Sequence, residues 1–478
     1  MNKAEIDQKV RESLPFSHRW HNRFHLEMPF GLINDPNGLI FHQNEYHIFF
    51  QWNPLGCEHK NKSWGHVRTR DFIHYTRPEL ALWPSDPQDK DGCYSGCAYA
   101  DGRALHVIYT GNAKDEAGTR SSCQRLGTLQ PDGTIRKDAI LIPEPPQGYT
   151  AHFRDPYRFR RGGKNYLVVG SQTTEKRGCV LLYGEQPEGW QFLGELHTRL
   201  GTFGYMWECP NMLQFGDHDV LLFCPQGIKE EEFKYQNRYS CGYITGHFSP
   251  SARELMHGRF HELDKGFDFY APQVFRHEGR NILLGWMGMP DCDEDYPTAE
   301  YGWQYTLTMP RTLTLRQGQI YAQPARELEA LRIEDSTQEL SAQQERHISA
   351  SLPEGAEILL DIDLGEITQL HFDLLYGLEK LRLTYDRKTQ VMTIDRRGMK
   401  YGGRGLRTFR LFAEEHLALH LFVDKTAIEG FFQHGERTAS LLVFPEKNIL
   451  PELSIEADAP MENLTGQIWQ LDNIKFNR

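Results

Sequence analysis

The sequence predicts an all-β protein, a five-bladed β-propeller followed by a C-terminal β-sandwich. Three observations predict it. Hairpin-like runs recur five times at near-constant spacing before Pro324. Long helical periodicity is absent from that region, where short runs such as Tyr46-His47-Ile48-Phe49-Phe50 and Tyr166-Leu167-Val168-Val169 dominate. Beyond Pro324 the pattern changes to a series of short alternating runs.

The repeat is specific. Pro36, Pro156, Pro210 and Pro272 each stand ten residues before an apolar run, which begins at Tyr46, Tyr166, Val220 and Ile282 respectively. Polar turns lie between: Gln43-Asn44-Glu45, Arg161-Gly162-Gly163-Lys164, Gly216-Asp217-His218-Asp219 and His277-Glu278-Gly279-Arg280. Each unit reads as a β-hairpin. A fifth copy has Gly96 in place of the proline, with Ala100-Asp101-Gly102-Arg103 as its turn. The five anchors, 36, 96, 156, 210 and 272, are spaced by 60, 60, 54 and 62 residues. A strand-built repeat of that length is a propeller blade. Equivalent positions in successive blades face one central channel. Asp35, Ser95, Asp155, Glu208-Cys209 and Ala271 are therefore expected to converge.

The propeller is expected over 1–325. Arg326 to Arg332 reads as a short amphipathic segment within a linker, 326–345. A sandwich over 346–478 is expected from eight runs: Ile358–Asp363, Leu381–Tyr385, Val391–Asp395, Leu406–Phe412, Leu417–Val423, Ala427–Phe432, Ala439–Phe444 and Leu453–Glu456. No catalytic constellation stands out in this half.

Composition excludes several classes. The 478 residues are 39% hydrophobic and 25% charged, which is globular rather than disordered. The net charge of −12, without a long basic run, argues against a nucleic-acid partner. The N-terminal MNKAEIDQKVRESLPFSHRW has no apolar core of a secretory signal, and no stretch has the length of a membrane span. Nine cysteines form no regular framework, which fits free thiols and a cytoplasmic location. Cys93 and Cys97 lack two further ligands at zinc spacing, so no metal site is expected. No feature fixes an oligomeric state.

The chemistry lies in the carboxylates. Asp35-Pro36 and Asp155-Pro156 are individually ordinary turn sequences. Glu208, between Trp207 and Cys209, is not a turn former. Three carboxylates in one channel push one another's pKa values apart. Glycoside hydrolysis needs that: one carboxylate ionised, another carrying a proton for the leaving oxygen. Trp52, Trp64, Tyr94, Trp207, Tyr270, Trp286 and Trp303 near the anchors offer faces for sugar rings.

Asn34-Asp35-Pro36-Asn37-Gly38, Arg154-Asp155-Pro156 and Glu208-Cys209-Pro210 resemble the three signature motifs of glycoside hydrolase family 32, the invertases, fructanases and sucrose-6-phosphate hydrolases. Phe50-Gln51-Trp52-Asn53-Pro54, Trp64-Gly65-His66, Tyr94-Ser95-Gly96, Phe269-Tyr270-Ala271-Pro272-Gln273 and Gly285-Trp286-Met287 match further, in order, and Phe422-Val423-Asp424-Lys425 resembles the family's sandwich domain. The resemblance implies retaining cleavage of β-fructofuranosides. Asp35 is then the nucleophile, Glu208 the acid/base and Asp155 the group that holds the fructosyl 3- and 4-hydroxyls. Asn34, Gln51, Trp64, Tyr94, Ser95, Arg154, Cys209, Tyr270 and Trp286 are the implied substrate-binding residues. No metal or cofactor is implied, and the partner is a small sugar or sugar phosphate.

There are departures. Leu32-Ile33 replaces the family's usual aromatic and Met, Cys97 stands where a Ser often follows the Gly, and the loop Leu55 to Lys62 lacks a tryptophan. Asn53-Pro54-Leu55, Tyr205-Met206-Trp207, Cys224-Pro225-Gln226-Gly227-Ile228 and Gly285-Trp286-Met287-Gly288 are similar to the cytoplasmic sucrose-6-phosphate hydrolase branch. A glucosyl phosphate calls for basic groups, for which His59, Lys60, Lys62 and Arg238 are candidates. The alternatives are an intracellular invertase or fructooligosaccharide hydrolase indifferent to phosphate, a related five-bladed arabinan or xylan glycosidase, and a non-catalytic sugar-binding module.

Overall fold

All five expected hairpins form in the computed structural model, which describes residues 2–292, 296–403 and 405–477. Gly31–His42 pairs with Glu45–Asn53, and Cys93–Asp101 with Ala104–Lys114. Tyr149–Arg161 pairs with Lys164–Thr173, Met206–Phe215 with His218–Gln226, and Tyr270–His277 with Arg280–Met287. The first turn is made by Gln43 and Asn44, both left-handed (φ 49° and 64°), the geometry that continues the twist of paired strands.

Each hairpin opens its own sheet, and its first strand is the innermost of the hairpin. Pro36, Gly96, Pro156, Pro210 and Pro272 all line one narrow void of about 10 Å³ on the common axis. The sheets therefore radiate as a propeller. Its ring is closed by Trp303–Gln304, which returns from the last sheet to pair parallel with Gly31 and Leu32. Lys475–Phe476 near the C-terminus joins the same first sheet.

Every innermost strand carries a break in pairing register at its anchor. The breaks fall between Ile33 and Pro36, Tyr94 and Gly96, Arg154 and Tyr157, Glu208 and Asn211, and Tyr270 and Gln273. The bulges hold Asp155, Cys209 and Ala271 at φ 65°, 49° and 47°. Such bulges re-aim side chains, here toward the axis. Proline suits the site because the bulged residue needs no ladder bond. Gly96 is required where proline is missing: a Cβ there would stand 1.9 Å from the carbonyl oxygen of Ile108.

The second half packs two six-stranded sheets face to face over their own apolar core. All eight expected runs are strands or overlap strands. Four further strands, Gln338–Ala342, His347–Ser351, Gln369–Tyr376 and Leu464–Gln470, complete the sheets. The first lies within the stretch 326–345, after a 3-10 helix, Arg326–Leu331, that buries Leu328 and Leu331. One short helix, not anticipated from the sequence, lies near the N-terminus. Lys3–Ser13 is started by a capping box between Asn2 and Glu5 and buries Ile6 and Val10.

Propeller and sandwich meet across a buried ionic network. His25 bonds Asp424 through Nδ1 (2.9 Å) and Glu429 through Nε2 (3.0 Å). Arg311 donates to Glu429 and to Asp264 (2.9 Å). Arg396 of the sandwich donates to Asp268 of the propeller (2.7 Å). No helix among the described residues is long and apolar enough to cross a membrane.

Candidate active site

The bulges bring the three acids of the sequence motifs to one end of the axis. Asp35 accepts from Ser95 Oγ at 2.5 Å and from Asn34 Nδ2 at 2.9 Å. Asp155 accepts from the backbone N–H of Cys209 at 2.9 Å, and its own N–H is held by Thr110 at 3.0 Å. The Cys209 thiol lies between the two, 3.9 Å from Asp35 and 3.6 Å from Asp155. Glu208 is gripped from three sides. Arg154 donates twice to Oε1 (2.8 and 2.7 Å), and Gln226 and Tyr270 donate to Oε2 (2.8 and 2.7 Å).

Electrostatics distinguish the acids. Burial pushes Asp35 above the usual carboxylate range; the Ser95 and Asn34 bonds and the Lys62 charge pull it back down. Burial, and then the charge of Glu208, push Asp155 up, while Arg154 opposes them. Lys62 is itself buried. It donates to Asn34 Oδ1 at 2.5 Å and contacts His59 Nδ1 at 2.9 Å. Burial brings it down to about 7, against the pull of Asp35.

This constellation, and the propeller-plus-sandwich frame that builds it, are matched by known proteins. The model of the glycosyl hydrolases family 32 N-terminal domain matches residues 25–324, and that of the family's C-terminal domain matches residues 327–469. The chain belongs to glycosyl hydrolase family 32. It is a glycoside hydrolase. It is 36% identical over 452 residues to a sucrose-6-phosphate hydrolase of Bacillus subtilis, covering 92% of each chain. A sucrose-6-phosphate hydrolase from Lactobacillus gasseri superposes with a TM-score of 0.87 at 30% identity, covering 98% of this chain and 97% of that one. The Bombyx mori GH32 beta-fructofuranosidase BmSUC1 superposes with a TM-score of 0.85 at 27% identity and 99% coverage of both chains, in a mutant form in complex with sucrose.

The family 32 chain gathers most of the residues its motifs nominated. Asn34 bridges Asp35 and Gln51 (3.1 Å to Gln51 Oε1). Ser95, Arg154, Cys209 and Tyr270 touch the acids directly. Tyr94 stands next to Ser95, with its hydroxyl toward Arg120. Two tryptophans lie deeper. Trp64 has no exposed surface and donates to the carbonyl of Tyr94 at 3.1 Å. Trp286 is 1% exposed, packs on Tyr305 and His59, and its buried Nε1 has no partner among the described residues.

Sequence reasoning missed Gln226 as a partner of Glu208. The signal was present: Gln226 faces Met206 across the hairpin, within Cys224-Pro225-Gln226. It also missed His152 beside Arg154, and Arg120 beside Tyr94 and Asn112. Of the basic candidates, Lys62 and His59 lie on the Asn34–Asp35 side of the site. Arg238 is exposed over the ring of Tyr239, whose hydroxyl bonds Asp291.

Proposed function

We propose that this hydrolase cleaves β-D-fructofuranosides with retention, taking sucrose 6-phosphate, to give glucose 6-phosphate and fructose, and also sucrose. One observation carries the reading: three acids converge with unequal surroundings. Asp35 receives two neutral hydrogen bonds and faces a buried ammonium through Asn34. That environment suits an ionised nucleophile attacking the fructosyl anomeric carbon. Glu208 is oriented by four donated bonds and lies beside the nucleophile's pocket.

Burial, and then the charge of Glu208, raise Asp155, so this pocket favours keeping a proton among its acids. The retained proton serves Glu208 when the leaving oxygen arrives. Tyr270 can then reverse its hydrogen bond and accept from the protonated carboxyl, since a hydroxyl both donates and accepts. Glu208 protonates the leaving oxygen as the bond from Asp35 to the sugar forms. It then takes a proton from the water that releases fructose and regenerates Asp35. Asp155, fixed by the Cys209 N–H, holds fructosyl hydroxyls whose bonds tighten in the transition state. This division requires no metal or cofactor.

The five radial sheets are read as five blades. The chain divides into a propeller over 1–325, a linking stretch over 326–345 and a sandwich over 346–478. All nine cysteines are free, in keeping with a reducing cytoplasm. Support for the phosphorylated substrate comes from the relatives named sucrose-6-phosphate hydrolase. The test is kcat/KM on sucrose 6-phosphate and on sucrose, side by side. A preference for the phosphate ester supports the reading; equal rates favour a general invertase. Trapping a fructosyl adduct on the Asp35 peptide by mass spectrometry tests retention, and an adduct on any other residue overturns the assignment.

A further inference from the structure

The rim between the second and third sheets holds a cation with no acid to neutralise it. Arg120 begins the strand Arg120–Leu129 and is half-buried. Its Nη1 donates to two neutral acceptors, Asn112 Oδ1 at 2.7 Å and Tyr94 OH at 3.4 Å. Its Nη2 and Nε make no hydrogen bond among the described residues, and the side chain forms no ion pair there. The arginines around it are committed: Arg125 to Asp86 and Asp89, Arg154 to Glu208, Arg158 to Glu185 and Arg177 to Glu195.

The position of Arg120 relates it to the reacting bond. Ser122, two residues on, donates to the carbonyl of Ala151 at 2.7 Å, which binds this strand to the segment carrying His152 and Arg154. Arg154 Nη1 lies 3.0 Å from His152 Nδ1. Guanidinium always donates, so Nδ1 accepts and the imidazole proton sits on Nε2. That Nε2–H has no partner among the described residues. Burial, then the charges of Arg154 and Arg120, bring His152 down to about 4, which keeps the ring neutral. Hydrogen bonds thus run from Glu208 through Arg154 to His152, and the charge of Arg120 is felt at His152.

We propose that the free edge of Arg120, with the Nε2–H of His152 on the adjoining segment, binds the phosphate of the glucosyl 6-phosphate group. This rests on the sucrose 6-phosphate reading above. The leaving glucosyl unit hangs through C1 from the oxygen that meets Glu208, and its C6, carried on C5, is set off from C1 by the ring oxygen. An arginine edge offering two parallel N–H groups matches a phosphate, and an arginine without a carboxylate partner keeps its charge for a ligand. The basic residues nominated by sequence fit less well. Lys62 is spent on Asn34 and His59, and Arg238 has Asp291 nearby.

The test is the ratio of kcat/KM for sucrose 6-phosphate to that for sucrose, in the wild type, Arg120→Gln and Arg120→Lys. Loss of a charge-assisted hydrogen bond is expected to lower the ratio about 10- to 100-fold in Arg120→Gln, with partial recovery in Arg120→Lys. Inhibition by glucose 6-phosphate weakens in parallel, while inhibition by fructose reports that the fructosyl pocket is intact. If Arg120→Gln is unstable, His152→Phe carries the same test, with a smaller fall. A wild type without preference for the phosphate ester overturns the substrate reading itself. A wild-type preference that survives in Arg120→Gln overturns only the assignment to Arg120.

Discussion

Replacing Lys62 changes the pH at which the nucleophile becomes available. The ammonium is 2.5 Å from Asn34 Oδ1, and Asn34 Nδ2 is 2.9 Å from Asp35. Two hydrogen bonds and one amide place the charge roughly 6–7 Å from the carboxylate. At an effective dielectric of about 20 this is worth about 2.5 kcal/mol, close to two pKa units, and access of water reduces it to about one to two units. The sign follows directly. A cation favours ionised Asp35, so its removal raises the Asp35 pKa further, and attack needs the ionised form. The acid limb of kcat/KM therefore moves to higher pH in Lys62→Met. Lys62→Gln isolates the charge, because its amide still donates to Asn34. The gap between wild type and variants narrows above pH about 7, where Lys62 itself loses its proton. Sucrose hydrolysis followed from pH 4.5 to 8.5 gives the answer. An unmoved acid limb, or a loss equal at every pH, would show that Lys62 only fills space.

Other consequences follow from the same geometry. Glu208→Gln is expected to lower kcat by orders of magnitude on sucrose while Tm holds; near-normal turnover contradicts the acid/base role. Tyr270→Phe removes a 2.7 Å bond to Glu208 Oε2 and is expected to cost about tenfold in kcat, with a smaller change in KM. His25→Leu leaves Asp424 and Glu429 buried against each other, a loss of about 3–5 kcal/mol seen as a lower midpoint in urea. His25 is held up to about 9 by Asp424 and Glu429, although burial opposes them. Its stabilisation is therefore complete below about pH 6.5 and declines as pH rises through about 9, a contribution of about 3 kcal/mol. Asp424 and Glu429 are held low by His25 and Arg311, so their contribution disappears only in acid. A wild-type Tm that is flat from pH 6 to 9 would remove His25 from this account.

How much was legible depended on whether a feature repeats or stands on one chain segment. The hairpins were readable because anchor, turn and apolar run recur five times. Of the sandwich strands that were missed, Gln369–Tyr376 does alternate, burying Leu370, Phe372, Leu374 and Tyr376, whereas others carry a weaker pattern. Gln338–Ala342 is an edge strand, mostly exposed and polar, held by pairing with Leu464–Gln470 rather than by burial. Leu464–Gln470 contains Gly466, where a Cβ would press on Leu360 and Leu359. The N-terminal helix buries only two side chains, too short a stripe to show a period, although Asn2 and Glu5 announced its start. Within the site, the acids were legible from their motifs. Lys62, Gln226, His152 and Arg120 were not legible in those roles, because each acts through a partner from another segment.

The repeat also explains why three acids can share the pocket with separate tasks. Asp35, Ser95, Asp155, Cys209 and Ala271 occupy equivalent bulge positions in the five innermost strands. Acids fill only the first and third, with neutral Ser95 between them in sequence and the Cys209 thiol between them in space. Glu208 comes one residue earlier, at the position equivalent to Asn34, Tyr94, Arg154 and Tyr270. At a bulge the strict alternation of the pleat is broken, and neighbouring side chains reach one pocket from different directions. Glu208 therefore approaches from a different direction than Asp35 and Asp155, and it meets Arg154 and Tyr270, which stand at the matching offset in the neighbouring sheets. A nucleophile and a proton donor must address different atoms of one glycosidic bond. The one-residue offset of Glu208 is the feature of the chain that supplies that difference in direction.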